Sequence, residues 1–146
     1  MYKCKNKTLK NKHKGNSYFP IKFAIHCRNK IKFKNLLHIL KLIGFKIFKK
    51  EKTDEFHTFL LPPSYFNINN FYLVLVKNKN SNKQTIKFKN KQGPHLGFLI
   101  KSKKKLYELY YLLCNKTKTL IVDKPDEISL FIDLICGEII EISVKK

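Results

Sequence analysis

Acidic side chains are missing from the first third of this chain: residues 1 to 50 hold 14 Lys and one Arg, and neither Asp nor Glu, a balance of +15. That absence leaves the front of the molecule a cationic field with nothing to offset it. The back differs, because residues 108 to 146 carry 7 acids against 5 Lys, a balance of −2. Arginine is the second scarcity. Lys outnumbers it 30 to 1, and Arg is the residue favoured for bidentate contacts to phosphates and base edges. The abundance of Lys, Asn, Ile, Phe and Tyr also matches the palette that an A+T-rich genome imposes on any protein. The charge therefore has two readings. One is a surface that binds RNA or another polyanion by releasing counterions, and the other is a solvated basic face that reflects codon composition.

Long apolar runs are absent too. Hydrophobic residues make up 43% of the chain, enough for one real core, yet no run approaches the roughly 18 residues that a membrane span needs. The N-terminus opens on Lys and Asn where a secretory leader would be apolar. These features predict a soluble, intracellular chain in a reducing compartment, cytoplasmic or organellar, with no membrane partner. Cys4, Cys27, Cys114 and Cys136 form no C-x-x-C pair, which removes the usual zinc and redox signatures and leaves buried reduced thiols as the expectation. No G-x-S-x-G, P-loop or G-x-G-x-x-G occurs, so hydrolase, nucleoside-triphosphatase and dinucleotide chemistry lack local support.

What is present is a repeat. Phe33, Leu36, Leu37 and Leu40 carry the i, i+3, i+4, i+7 stripe of an amphipathic helix, and Leu106, Leu109, Tyr110 and Leu113 carry it again 73 residues on. A strand-like segment precedes each stripe, Phe23 to Cys27 and then His95 to Ile100, and β-branched and aromatic runs follow each one. The expected fold is α+β: two βαβββ modules, eight strands of mixed sheet and two helices in a single domain. Residues 1–17 read as a basic, disordered arm and 18–146 as the domain, with module one at 20–77, a linker at 78–91 and module two at 92–146. Gly44 reads as the left-handed cap that ends the first helix, and Ser102 as the N-cap of the second. Tyr107, Tyr110 and Tyr111 read as core and boundary packing, and His38 as exposed.

Three segments carry a family resemblance: Leu42 to Phe48 (LIGFKIF), Gly93 to Ile100 (GPHLGFLI) and Cys136 to Ile142 (CGEIIEI). In order and spacing they resemble the helix-to-strand turn, the mid-chain His strand and the closing strand of the vicinal oxygen chelate superfamily, the glyoxalase, bleomycin-resistance and extradiol dioxygenase group. The chain departs from that pattern at Leu134, where Asp is usual, and at Glu138, where Asn is usual.

The resemblance implies a cavity in which single residues from the first and last strand of each module hold a divalent metal. His95 and Glu141 match two of those positions. The internal repeat places Lys22 opposite His95 and, with FYLVLVK aligned on IIEISVK, Leu73 opposite Glu141. Lys is protonated and Leu has no lone pair, so neither binds a metal. A four-residue slip of the first strand would instead bring His26 to His95 and Glu141 as a 2-His-1-carboxylate set for Fe, Mn, Zn or Ni. His57 is a further cavity candidate, set against a half-buried strand histidine with one partner. Lys3, Lys5, Lys7, Lys10, Lys12 and Lys14 on the arm, with Lys103, Lys104 and Lys105 at the start of the second helix, are the candidate polyanion contacts.

Three functions remain open. The first is a binding or assembly module that has lost its metal and needs no cofactor, with Lys22 standing in the cavity as a fixed cation. The second is an RNA- or ribosome-associated basic protein. The third is a metal-dependent lyase or dioxygenase. A homodimer formed through the sheets is compatible with each.

Overall fold

A computed structural model of the chain describes residues 21–27, 29–77 and 95–146. The expected arm and linker, and with them Lys3 through Lys14, lie outside the described residues. Within them the order is β1 (Ile21–Cys27), α1 (Lys30–Ile43), β2 (Lys46–Lys52), β3 (Phe56–Leu61), β4 (Phe71–Lys77), β5 (His95–Leu99), α2 (Lys103–Leu113), β6 (Thr119–Asp123), β7 (Glu127–Asp133) and β8 (Ile139–Lys145). Two βαβββ modules result, as the repeat predicts. A single 3-10 turn, Ser64–Phe66, interrupts the loop after β3.

The helices begin at equivalent caps. The side chain of Asn29 accepts hydrogen bonds from the Ile31 and Lys32 amides, and that of Ser102 accepts from the Lys105 amide, satisfying groups that have no partner within the helix. The two caps stand 73 positions apart (102 − 29), the same offset as the apolar stripes. Gly44 ends α1 at φ 115°, and its N–H donates to the Leu40 and Lys41 carbonyls. A β-carbon there would meet Pro63 at 2.9 Å, so both the backbone angle and the close neighbour require glycine. α2 ends without a left-handed residue, at Cys114.

Each module forms a four-stranded sheet, ordered β1-β4-β3-β2 in the first and β5-β8-β7-β6 in the second. The outer pairs β1·β4 and β5·β8 are parallel and the others antiparallel. Strand residues alternate between faces, and one face of each sheet packs on the helices. Leu73 and Leu75 of β4, with Ile140 and Ile142 of β8, are fully buried there beside Leu36, Leu40, Leu106, Leu109 and Leu113. These residues form one continuous core across both modules, closed where Phe66 stacks on Phe98 with ring centroids 4.4 Å apart. Tyr107 and Tyr110 pack against this core, whereas Tyr111 is 70% exposed.

Two edge strands are built differently. On β2, Lys46, Lys49, Lys50 and Lys52 are all exposed, a charge pattern that discourages another strand from adding to the edge. On β6 the exposed residues are Leu120 and Asp123.

Candidate functional site

The face of the second sheet that turns away from the helices carries a cavity of about 640 Å³. Because Ile140, Ile142 and Val144 of β8 face the core, alternation turns Ile139, Glu141 and Ser143 toward the cavity side. Phe131 of β7 pairs with Glu141 on one side and with Leu120 of β6 on the other, so an acid, a ring and an alkyl chain run in a row across the sheet. Gly97 completes the row on β5. His95, Asp133, Lys118 and Lys124 stand at the rim.

Glu141 sits at the centre of a short polar chain. Its Oε2 lies 3.4 Å from Nε2 of His95, and its Oε1 accepts from the Ser143 hydroxyl at 3.3 Å. Ser143 in turn shares a 2.7 Å hydrogen bond with Ser129. Both serines are buried, Ser129 completely, so this bond satisfies hydroxyls that water does not reach. The Glu141 side chain is 16% exposed and that of His95 51%, which places the carboxylate at the cavity floor and the imidazole at its mouth. His95 and Glu141 are the two predicted residues that the fold brings together. The serines were not among the sequence candidates, although alternation from Glu141 to Ser143 and from Phe131 to Ser129 carries the signal.

The other predicted cavity residues stand elsewhere. Lys22 is exposed on β1 beside Tyr72 of β4 and does not line this cavity, so its ammonium is not the partner of Glu141; His95 is. His26 is exposed on the same face of β1, opposite Val76. His57 is half-buried on β3, with Nε2 3.4 Å from Oε2 of Glu55 and its ring 6.3 Å from that of Phe59. Leu73 is a correction: it lies in the hydrophobic core with no exposed surface. With the modules matched on their caps, Ala24 corresponds to Gly97. Ala24 pairs with Val74 and Gly97 pairs with Glu141, so Val74 is the counterpart of the acid. The one-residue error arose from aligning the starts of β4 and β8, whereas β4 begins one position earlier relative to its parallel partner.

Among the described residues no group of three or more His, Cys, Asp or Glu side chains converges, so His26 does not join His95 and Glu141. Of the cavity's acidic and imidazole side chains, Glu141 and His95 are engaged with each other, while Asp133 at the rim accepts from the Ile135 amide and does not converge with them; the matching positions of module one carry Lys22 and Val74. Two converging donors are fewer than a divalent metal site ordinarily needs. Of the predicted anion contacts on α2, Lys103 and Lys104 are exposed. Lys105 lies 5.0 Å from the centre of the Tyr65 ring and 3.9 Å from Glu108. No described helix is long and apolar enough to cross a membrane.

No protein-family model matches the sequence, and no curated protein is significantly similar to it. Solved structures are similar in fold. A glyoxylase/bleomycin resistance protein/dioxygenase domain from Frankia sp. EAN1pec is 13% identical at a TM-score of 0.64, with 92% of this chain and 99% of that one covered. A putative glyoxalase from Bacillus halodurans is 18% identical at a TM-score of 0.61, covering 84% and 92%. A lactoylglutathione lyase from Agrobacterium tumefaciens is 11% identical at a TM-score of 0.55, covering 89% and 95%. At such identities the likeness is one of architecture, and it agrees with the two mixed sheets and paired βαβββ modules: this chain has the vicinal oxygen chelate fold.

Proposed function

We propose that this protein is a binding module on that fold which works without a resident metal, and that the cavity of module two takes a small organic ligand. The observation that carries the reading is the engagement of Glu141. Its two oxygens are directed at His95 and Ser143, so the carboxylate is held by the protein in place of a cation. Leu120, Phe131 and Ile139 offer an apolar wall to the body of a ligand, and the Glu141 carboxylate offers an acceptor to a hydroxyl or amine on it. An alkyl and aromatic wall beside a fixed carboxylate acceptor is suited to holding a ligand.

Two measurements test this. Calorimetric titration of the full chain with Zn, Mn, Ni and ferrous iron is expected to show no stoichiometric binding. Tight one-to-one binding that His95→Ala abolishes would establish a metal centre and overturn the reading. A fragment screen followed by NMR is expected to shift the amides of Leu120, Phe131 and Glu141 together. Hits that leave those amides unmoved would remove the cavity as the binding site.

A further inference from the structure

We propose that Cys27 and Cys136 form a disulfide-capable pair that can staple the two modules together. Their sulfurs lie 2.9 Å apart although 109 positions separate them in sequence. Cys27 closes β1 of module one, and Cys136 stands in the turn between β7 and β8 of module two. The contact is therefore a junction between modules, independent of the cavity and of what it binds.

The turn that carries Cys136 is held firmly in place. The Ile135 amide donates to Oδ1 of Asp133 at 2.7 Å, and the Leu134 amide donates to the Glu138 carbonyl at 3.0 Å. Ile135 is kept at φ 60°, a conformation that β-branched residues avoid unless their surroundings impose it. Leu134 itself is fully buried in the shared core. Cys27 is fixed in the same way, as a β1 residue 2% exposed whose thiol also approaches the Asn29 carbonyl at 3.6 Å. Two sulfurs each pinned by its own backbone, and meeting at this distance, need little movement to bond.

The bond forms with a small-molecule disulfide such as oxidised glutathione as the oxidant. Cys136, the more accessible of the two, loses its proton to solvent and its sulfur attacks the reagent. The reagent's S–S bond breaks, one thiol leaves, and a mixed disulfide remains on Cys136. The Cys27 sulfur, also deprotonated, attacks Cys136 and expels the second thiol. The protein gives up two electrons and two protons, and one disulfide reagent becomes two thiols. Burial, with Cys27 and Glu138 alongside, pushes the Cys136 thiol above its ordinary pKa, so the reaction is slow at neutral pH and quickens as pH rises.

The test uses the full chain with Cys4→Ser and Cys114→Ser, leaving only this pair. After exposure to oxidised glutathione at mildly alkaline pH and alkylation under denaturing conditions, the expected product is an unalkylated monomer lighter by two hydrogen atoms. Digestion should then yield one cross-linked peptide joining Cys27 to Cys136. Thermal unfolding should shift upward by several degrees and return on reduction, because closing so long a loop restricts the unfolded chain. Two alkylated thiols, a product that stops as a glutathione adduct, or a linkage between chains would each overturn the proposal.

Discussion

At Glu138 the chain buries a carboxylate oxygen with no hydrogen-bond partner among the described residues. Burial, with the nearby Asp133 carboxylate adding to it, pushes the pKa of Glu138 up to about 7 from its ordinary 4.5, against a smaller lowering by its own backbone amide. A group whose folded pKa is raised gives stability that is present below its unfolded pKa and lost as pH climbs through the folded one. The folded state should therefore weaken between about pH 4.5 and pH 7 and level off above. Replacing Glu138 with Gln removes that slope. Denaturant unfolding should show it more stable than wild type at neutral pH and above, by on the order of 1 kcal/mol after allowance for partial solvent screening, and equal below about pH 4.5. A variant whose pH profile kept the wild-type slope would contradict this account. Single residues were legible in the sequence to different degrees. His95 and Glu141 could be read as neighbours because the resemblance to the vicinal oxygen chelate superfamily implies that both face one cavity. Leu73 was misplaced because alternation is unforgiving: one position of error in β4 exchanges a core leucine for Val74, which points to the opposite face of the sheet. Cys27 and Cys136 gave no signal, since nothing local marks two thiols that meet only through the docking of modules.

At the scale of elements, the caps decide where each helix begins and ends, and sequence located them well. Ser102 and Gly44 were both identified from residue type and position alone. Asn29 was not, although its side chain accepts two amide hydrogen bonds. Removing a cap oxygen should cost about 1 kcal/mol, so Asn29→Ala and Ser102→Ala are expected to lower stability by similar amounts in chemical denaturation. Gly44→Ala should cost more, about 2 kcal/mol or above. It places an alanine in a left-handed conformation and drives its methyl into Pro63 at 2.9 Å. An alanine there that proved neutral would mean that the turn relaxes, which the fully buried surroundings of Ile43 and Phe45 disfavour. The 3-10 turn at Ser64–Phe66 escaped the sequence reading because Pro62 and Pro63 signal a loop without specifying its shape. Its position matters all the same. Tyr65 donates its hydroxyl hydrogen to the Ile43 carbonyl and Phe66 stacks on Phe98, so one short loop ties α1 to module two.

For the whole molecule, the governing fact is that one core serves both modules. Leu36 and Leu109 are equivalent by the repeat and are both almost wholly buried in it. Truncating either to Ala should cost about 2–5 kcal/mol. Each variant should still unfold in a single transition by circular dichroism, with the two halves melting together. Two separated transitions would show that the modules are independent. The duplicated architecture was visible in sequence because helical periodicity survives in a helix that packs on one side. How the modules meet was not visible, since contacts such as Phe66 on Phe98 leave no pattern along the chain. That shared interior also bears on how such a chain could be taken apart. Severed between Lys77 and His95, each half would carry a wet sheet face and a bare oily one, and its best match would be the missing half. Mixed in solution, two such fragments are expected to recover the parent's shape by complementation, and either one kept by itself is expected to pair with its own kind.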